Sequence, residues 1–288
     1  MINSLIYANI GINTIIYSKL SMIKNIKRDF KDIKPNKRLG QNFLIDKSAL
    51  NKIISAADLS EKDIVLEIGP GTGILTRELL KTAQKVVAVE KDKKMAEILR
   101  DNFKEYKNLE VINKDILKID DLNIKEYKLV ANIPYYITSP IIRKFLEYPN
   151  PPKLMVLTIQ KEVAQRICAK PPDMNLLAVS VQFYAKPEII SHVFKNSFWP
   201  KPKVDSTILK IQDIKNKNPE VNIDSFFILL KAGFKQPRKQ LLNNISNGLR
   251  IEKNEARNLL IKAKIRPEQR PETLTVQNWI ELTRIFML

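Results

Sequence analysis

The run Leu66-Glu67-Ile68-Gly69-Pro70-Gly71-Thr72-Gly73 constrains this chain more than any other segment. An apolar stretch, Ile64–Ile68, runs into three glycines, and helical spacing of apolar residues resumes over Ile74–Leu80. A buried strand that breaks into a glycine turn and then a helix is the opening of a ligand-holding βα unit. Glycine is needed there because it alone turns the backbone sharply at no steric cost and leaves room for a cofactor. The turn by itself suits dinucleotide dehydrogenases as well as other cofactor enzymes. Here Ile74 stands where the dinucleotide fingerprint has its last glycine, which disfavours close approach of a pyrophosphate.

Strand and helix signals alternate onward to Gln160. Lys85–Val89 reads as a second strand closed by Glu90, then Lys93–Phe103 as a helix. Leu109–Asn113, Lys128–Ala131 and Leu154–Ile159 read as further strands, with Asp115 and Asn132 just past two of them. This rhythm predicts an α/β fold with a Rossmann-like, doubly wound parallel sheet. Ligands of such sheets bind outside the carboxyl ends of the strands, which is where Gly69–Gly73, Glu90, Asp115 and Asn132 fall.

Glu188–Val193 and Ser206–Ile211 follow as strands, with a proline-stiffened loop, Phe198–Ser206, between them. After the polar stretch Asp213–Glu220 the pattern becomes helical, with candidates at Asp224–Ala232, Lys239–Leu249, Lys253–Ala263 and Val276–Phe286. Three parts are expected: a poorly ordered extension over 1–33, a catalytic α/β domain over 34–212, and a small all-helical domain over 218–288.

Asn132-Ile133-Pro134-Tyr135 carries the second chemical signal. An exocyclic base amine is a poor nucleophile because its lone pair is delocalised into the ring. The Asn132 side-chain oxygen and the Ile133 carbonyl offer two acceptors for its hydrogens, which favours a pyramidal, more nucleophilic nitrogen. Pro134 fixes the local φ and so aims that carbonyl. Tyr135 offers a stacking face worth roughly 1–3 kcal/mol per base. Phe198 offers a second face, with the neighbouring Trp199 as a loop anchor; residue type alone does not separate these roles. Glu90 is placed to accept from ribose hydroxyls. Asp115 suits either an adenine amine or a helix N-cap. Read together, the two segments suggest methyl transfer from S-adenosyl-L-methionine to adenine or cytosine in a nucleic acid. Alignment would carry most of the catalysis, because the donor is already an activated sulfonium.

Charge agrees with a polyanionic partner, since 49 Lys+Arg against 31 Asp+Glu give +18. The excess concentrates in Lys19–Arg38, with eight basic residues, and Lys231–Arg270, with eleven. Such segments suit phosphate tracking, although a lysine-rich solvated surface has the same composition. One cysteine, Cys168, excludes an internal disulfide and a multi-cysteine zinc site, and the lone His192 reads as structural, so no metal is expected. No stretch reaches the roughly 20 apolar residues that span a bilayer. A cytoplasmic monomer is the expected state. Residues 1–21 leave two readings open, an import segment or a start wrongly assigned upstream of Met22.

With these motifs in hand, the chain resembles the ribosomal RNA adenine N6-dimethyltransferases, nearest to their small-subunit branch. The likeness runs from about Lys34 to Leu282 and rests on Leu39-Gly40-Gln41-Asn42-Phe43-Leu44, Glu67–Gly73, Asn132–Tyr135, Phe198–Ser206 and Phe234–Asn244. It implies a class I methyltransferase fold with a cofactor site formed by Asn42, Leu44, Gly69, Gly71, Glu90, Asp115 and Asn132. It also implies RNA contacts at Lys235, Arg238 and Lys239. The expected reaction is N6,N6-dimethylation of two adjacent adenosines near the 3′ end of small-subunit rRNA. The expected substrate is a ribosome assembly intermediate resembling a pre-30S particle. Two other readings stay open: a large-subunit adenine methyltransferase of the antibiotic-resistance type, and a binding factor that has kept the fold.

Overall fold

A computed structural model describes residues 35–36, 39–215 and 221–287. The extension expected over 1–33 lies outside them, as do residues 216–220 of the polar stretch and all but two of the basic segment Lys19–Arg38. The strands are β1 (Phe43–Leu44), β2 (Ile64–Ile68), β3 (Lys85–Glu90), β4 (Leu109–Asn113), β5 (Tyr127–Asn132), β6 (Leu154–Gln160), β7 (Lys186–Val193), β8 (Phe198–Trp199) and β9 (Ser206–Gln212). The helices are α1 (Lys47–Ala57), α2 (Ile74–Leu79), α3 (Lys93–Asn102), α4 (Thr138–Leu146), α5 (Lys161–Ile167), α6 (Leu176–Tyr184), α7 (Ile223–Gly233), α8 (Leu241–Leu249), α9 (Lys253–Lys262) and α10 (Val276–Phe286).

The chain divides into two compact units. One comprises the described residues up to Ile141 together with Pro152–Lys161 and Ile189–Lys210; the other comprises Ile142–Pro151, Glu162–Glu188 and the described residues from Ile211 onward. The division therefore differs from a single boundary near residues 212–218. Residues 162–188 group with the helical tail because Phe183 of α6 stacks on Phe226 of α7, with ring centroids 4.0 Å apart.

A seven-stranded sheet runs in the order β4-β3-β2-β5-β6-β9-β7. The pairings β4-β3, β3-β2, β2-β5 and β5-β6 are parallel. Strands covered on both faces must be apolar almost throughout, and Leu154–Ile159 of β6 are all buried. Succession runs outward from β2 through β3 to β4, and in the opposite direction from β5 to β6. The reversal leaves a crevice between β2 and β5, at the carboxyl ends of the strands. Register makes those ends level: Ile68 faces Val89 and Ala131, Glu90 faces Asn113, and Asn132 faces Thr158.

Helix α1 has no counterpart among the predicted elements. The Asp46 carboxylate starts it by accepting from the N–H groups of Ser48 and Ala49, at 3.0 and 3.2 Å. Ala49, Leu50, Ile53, Ala56 and Ala57 then form one buried stripe at helical spacing. Each large side chain in that stripe contributes roughly 1.5–3 kcal/mol through burial. Asp58, with φ at 46°, ends the helix. Just before it, β1 pairs antiparallel with β8, so Leu44 lies opposite Phe198 and Phe43 opposite Trp199.

In the second unit, α8 packs on α7 through Gly248, where an added Cβ would lie 2.5 Å from the Ala232 Cβ. Helix α10 begins with a reciprocal cap between Thr275 and Asn278 and buries Trp279 completely.

Candidate active site

The level carboxyl ends of β2, β3 and β5 open into a cavity in the first unit. Its floor is the glycine turn. Gly71 has a φ of +55°, and an added Cβ there would meet the Phe43 ring at 2.8 Å, so the turn needs glycine both for conformation and for space. The Gly71 N–H donates to Glu90 Oε2 at 3.2 Å, and the Asp92 N–H donates to Oε1 at 2.9 Å. Burial pushes the Glu90 carboxyl above its ordinary value, and these backbone donors only partly offset the effect. Each oxygen keeps a second lone pair, so Glu90 can still accept from a ligand hydroxyl.

Asp115 takes the capping role and also holds an ion pair. Its Oδ1 caps the short 3-10 turn Ile116–Lys118 by accepting from Leu117 N–H at 3.1 Å, and its Oδ2 pairs with Lys91 Nζ at 3.0 Å. Burial raises the carboxyl, but the bond from Lys91 and the Leu117 N–H outweigh it and hold Asp115 below its usual value. It is therefore a fixed acceptor on the cavity wall.

On the opposite wall, Asn132 Nδ2 donates to the Asn42 carbonyl at 2.9 Å, and Asn42 Nδ2 donates in turn to the Gly40 carbonyl at 3.0 Å. Because a carbonyl must be met by the NH₂ end, this chain assigns the amide orientation and turns Oδ1 of Asn132 away as an acceptor. Ile133 donates its N–H to the Thr158 carbonyl at 3.2 Å, and Pro134 follows with φ at −56°. The direction of the Ile133 carbonyl is thus set from both sides. Tyr135 opens a 3-10 turn and fixes its ring through a 2.6 Å bond between its hydroxyl and Ser206 Oγ. Burial raises its phenol pKa, against the pull of the Ser206 hydroxyl.

The cofactor residues expected from sequence, Asn42, Leu44, Gly69, Gly71, Glu90, Asp115 and Asn132, all line this cavity, as do Ile133, Pro134 and Tyr135. Phe198 does not. It is 3% exposed and belongs to the core cluster with Leu44 and Ile53, because pairing of β8 with β1 turns it inward. Trp199 stacks on Phe43 with centroids 6.1 Å apart, which matches the anchoring role. Lys235, Arg238 and Lys239 belong to the other unit, in the exposed loop between α7 and α8. Buried Asn244 steadies that loop by donating to the Gln236 carbonyl at 2.9 Å. His192 bonds Thr207 through Nδ1 at 3.0 Å, a contact between strands.

Two wall residues escaped the sequence reading. Tyr136 stands 55% exposed beside Tyr135, and the doubled aromatic was the available signal. Glu67 is 1% exposed, and its Oε2 has no hydrogen-bond partner. Burial pushes it up to about 8; Thr76 counters this in part, although neither Thr76 Oγ1 nor Glu67 Oε2 completes a hydrogen bond. A lone acid inside the apolar run Ile64–Ile68 was its signal. Three acids, Glu67, Glu90 and Asp115, line the cavity together with two lysines, Lys91 and Lys114.

A family model described as ribosomal RNA adenine dimethylase matches residues 33–286. The chain belongs to this family. Its relatives include ribosomal RNA small subunit methyltransferase A of Dehalococcoides mccartyi, 48% identical over 87% of this chain and 88% of that protein. The protein of the same name from Clostridioides difficile is 43% identical over 88% of this chain and 91% of its own length. Among solved structures, a dimethyladenosine transferase from Plasmodium falciparum is similar with a TM-score of 0.74 and 31% identity, covering 83% of this chain and 95% of that one. The 23S rRNA methyltransferase ErmE follows with a TM-score of 0.70 and 25% identity, over 86% of this chain and 100% of its own. Membership makes the chain a methyltransferase with a Rossmann-like α/β sheet and a helical C-terminal region.

Proposed function

We propose that this dimethylase converts two adjacent adenosines near the 3′ end of small-subunit rRNA to N6,N6-dimethyladenosine. The methyl donor is S-adenosyl-L-methionine, and the substrate is an assembling small subunit resembling a pre-30S particle. The carrying observation is the oriented Asn132 amide: its NH₂ is engaged by the Asn42 carbonyl, so its oxygen is left to receive the target amine. Ile133 supplies the second acceptor through its main chain, and the fixed Tyr135 ring supplies a face for the base.

The cavity fits this donor on the chemistry of its own residues. Glu67 has a buried oxygen without a hydrogen-bond partner, Glu90 keeps lone pairs for ribose hydroxyls, and Asp115 is an acceptor for an amine. When bound, adenosylmethionine supplies an electrophilic methyl on sulfur. The chain's residues then orient the amine and bind its hydrogens, and the methylated ammonium is acidic enough to lose its proton without a strong base. Methyl transfer becomes a matter of alignment. The exposed Lys235, Arg238 and Lys239 contribute phosphate contacts.

The large-subunit reading has weaker support. ErmE is 25% identical to this chain, whereas the small-subunit methyltransferases A are 43% and 48% identical. The test is methylation of unmodified small and large subunits by the purified chain, with products mapped by mass spectrometry. Dimethyladenosine near the 3′ end of the small-subunit rRNA is expected, and Asn132→Ala should lower its formation by about 10²-fold or more, as loss of one transition-state contact does elsewhere. Modification restricted to the large subunit would overturn the proposal.

A further inference from the structure

Phe194 is the most exposed of the large apolar side chains described, at 70%. A ring so displayed contributes little to the core and presents an open aromatic face to solvent. The backbone beneath it is firmly held. The N–H of Lys195 donates to Asp205 Oδ1 at 2.9 Å, and the N–H of Ser197 returns to the Phe194 carbonyl at 2.8 Å. Ser197 is fixed from the other side, where its hydroxyl bonds Asp46 Oδ2 and its carbonyl receives Ile45 N–H, both at 2.8 Å. Asp205 also accepts the Lys161 N–H through its carbonyl at 3.0 Å. The next residue, Ser206, is the one that bonds the Tyr135 hydroxyl. Two side-chain bonds and one residue step therefore connect the Phe194 turn to the aromatic wall of the methyl-transfer cavity.

Basic residues are close in the chain. Lys201 and Lys203 are exposed and Lys195 is half-buried, all within the loop that ends at Asp205. A solvent-facing ring on a held backbone, with Lys195 next in the chain and Lys203 two residues before the Asp205 that bonds this turn, offers what unpaired nucleotides need: a face for a base and ammonium groups for the flanking phosphates.

We propose that Phe194 is a stacking platform for an unpaired base neighbouring the target adenosine, with Lys201 and Lys203 on the adjoining phosphates. This rests on the small-subunit reading for its substrate and adds the surface that grips the strand outside the catalytic pocket. It uses a residue distinct from Tyr135, which faces the cavity, and from Phe198, which is buried in the core.

The experiment compares the unaltered chain with Phe194→Tyr, Phe194→Leu and Phe194→Ala on unmodified small subunits. The half-saturating subunit concentration should rise at least about five-fold for the leucine and alanine variants, the lower end of the effect of removing one stacking face. Phe194→Tyr should stay within about two-fold of the unaltered chain, because it keeps the ring. Adenosylmethionine affinity and melting temperature should not change, since the side chain is exposed and outside the cavity. A leucine variant that performs like the unaltered chain would overturn the proposal in favour of simple apolar docking against a protein. Independently, Phe194→Trp should show fluorescence quenching by a short single-stranded oligoadenylate, beyond that of the chain's own tryptophans. Quenching supports the platform even if small subunits are not methylated, a result that would sink only the parent reading; absence of quenching counts against the platform alone.

Discussion

Glu67 is a carboxyl that folding has made unwilling to ionise. Its ordinary value is 4.5 and burial pushes it up to about 8. Between those values the folded chain holds a proton that the unfolded chain has released, so stability falls as pH rises through that window and levels off above it. Glu67→Gln cannot ionise and should escape the loss. Its melting temperature relative to the unaltered chain should rise steadily between about pH 5 and about pH 8, up to an equivalent of a few kcal/mol. Differential scanning calorimetry across that range is the check. A difference that stays flat would show that the carboxyl ionises freely in the fold. At this scale the sequence was informative wherever a residue sat at a strand end. It was silent on Ser206, whose bond to Tyr135 spans 71 residues. Phe198 also misled it, because a short β1–β8 pairing rather than residue type decides which way that ring points.

At the level of elements, the central parallel strands were legible because burial on both faces forces largely apolar runs; the predicted Ile64–Ile68 matches its observed limits, and so does Leu109–Asn113 on the partly exposed edge strand β4. Helices α1, α4, α5 and α6 were not predicted. Helix α6, Leu-Leu-Ala-Val-Ser-Val-Gln-Phe-Tyr, is apolar on nearly every side, so no helical stripe shows in it. The α7–α8 contact is equally hidden, since it depends on the absence of a side chain. An added methyl at Gly248 would lie 2.5 Å from the Ala232 Cβ and 2.7 Å from its Cα, where backbone cannot yield cheaply. Gly248→Ala should therefore destabilise the helical unit by about 1–3 kcal/mol through overpacking, despite the better helix propensity of alanine. Urea denaturation followed by helical circular dichroism reads this directly. A gain in stability would mean that α7 and α8 separate without penalty.

For the molecule as a whole, the excess of 18 positive charges serves encounter with a polyanion, while Glu90 and Asp115 set hydrogen-bond acceptors in the cavity wall. Composition announced the first property and could not announce the second. Replacing Lys235, Arg238 and Lys239 together by alanine should weaken rRNA binding and reduce the slope of log affinity against log salt by about two to three, close to one per phosphate released. Filter binding over a salt series measures it, and an unaltered slope would assign those residues to solvent alone.

The helical unit draws on three separate stretches, Ile142–Pro151, Glu162–Glu188 and the chain after Ile211. A gene fragment encoding only the tail would leave Phe226 without the Phe183 ring that covers it. Such an excised piece should behave as a loosely collapsed, dye-binding peptide rather than a cooperative fold. Anyone dissecting this enzyme by truncation should cut with that interleaving in mind.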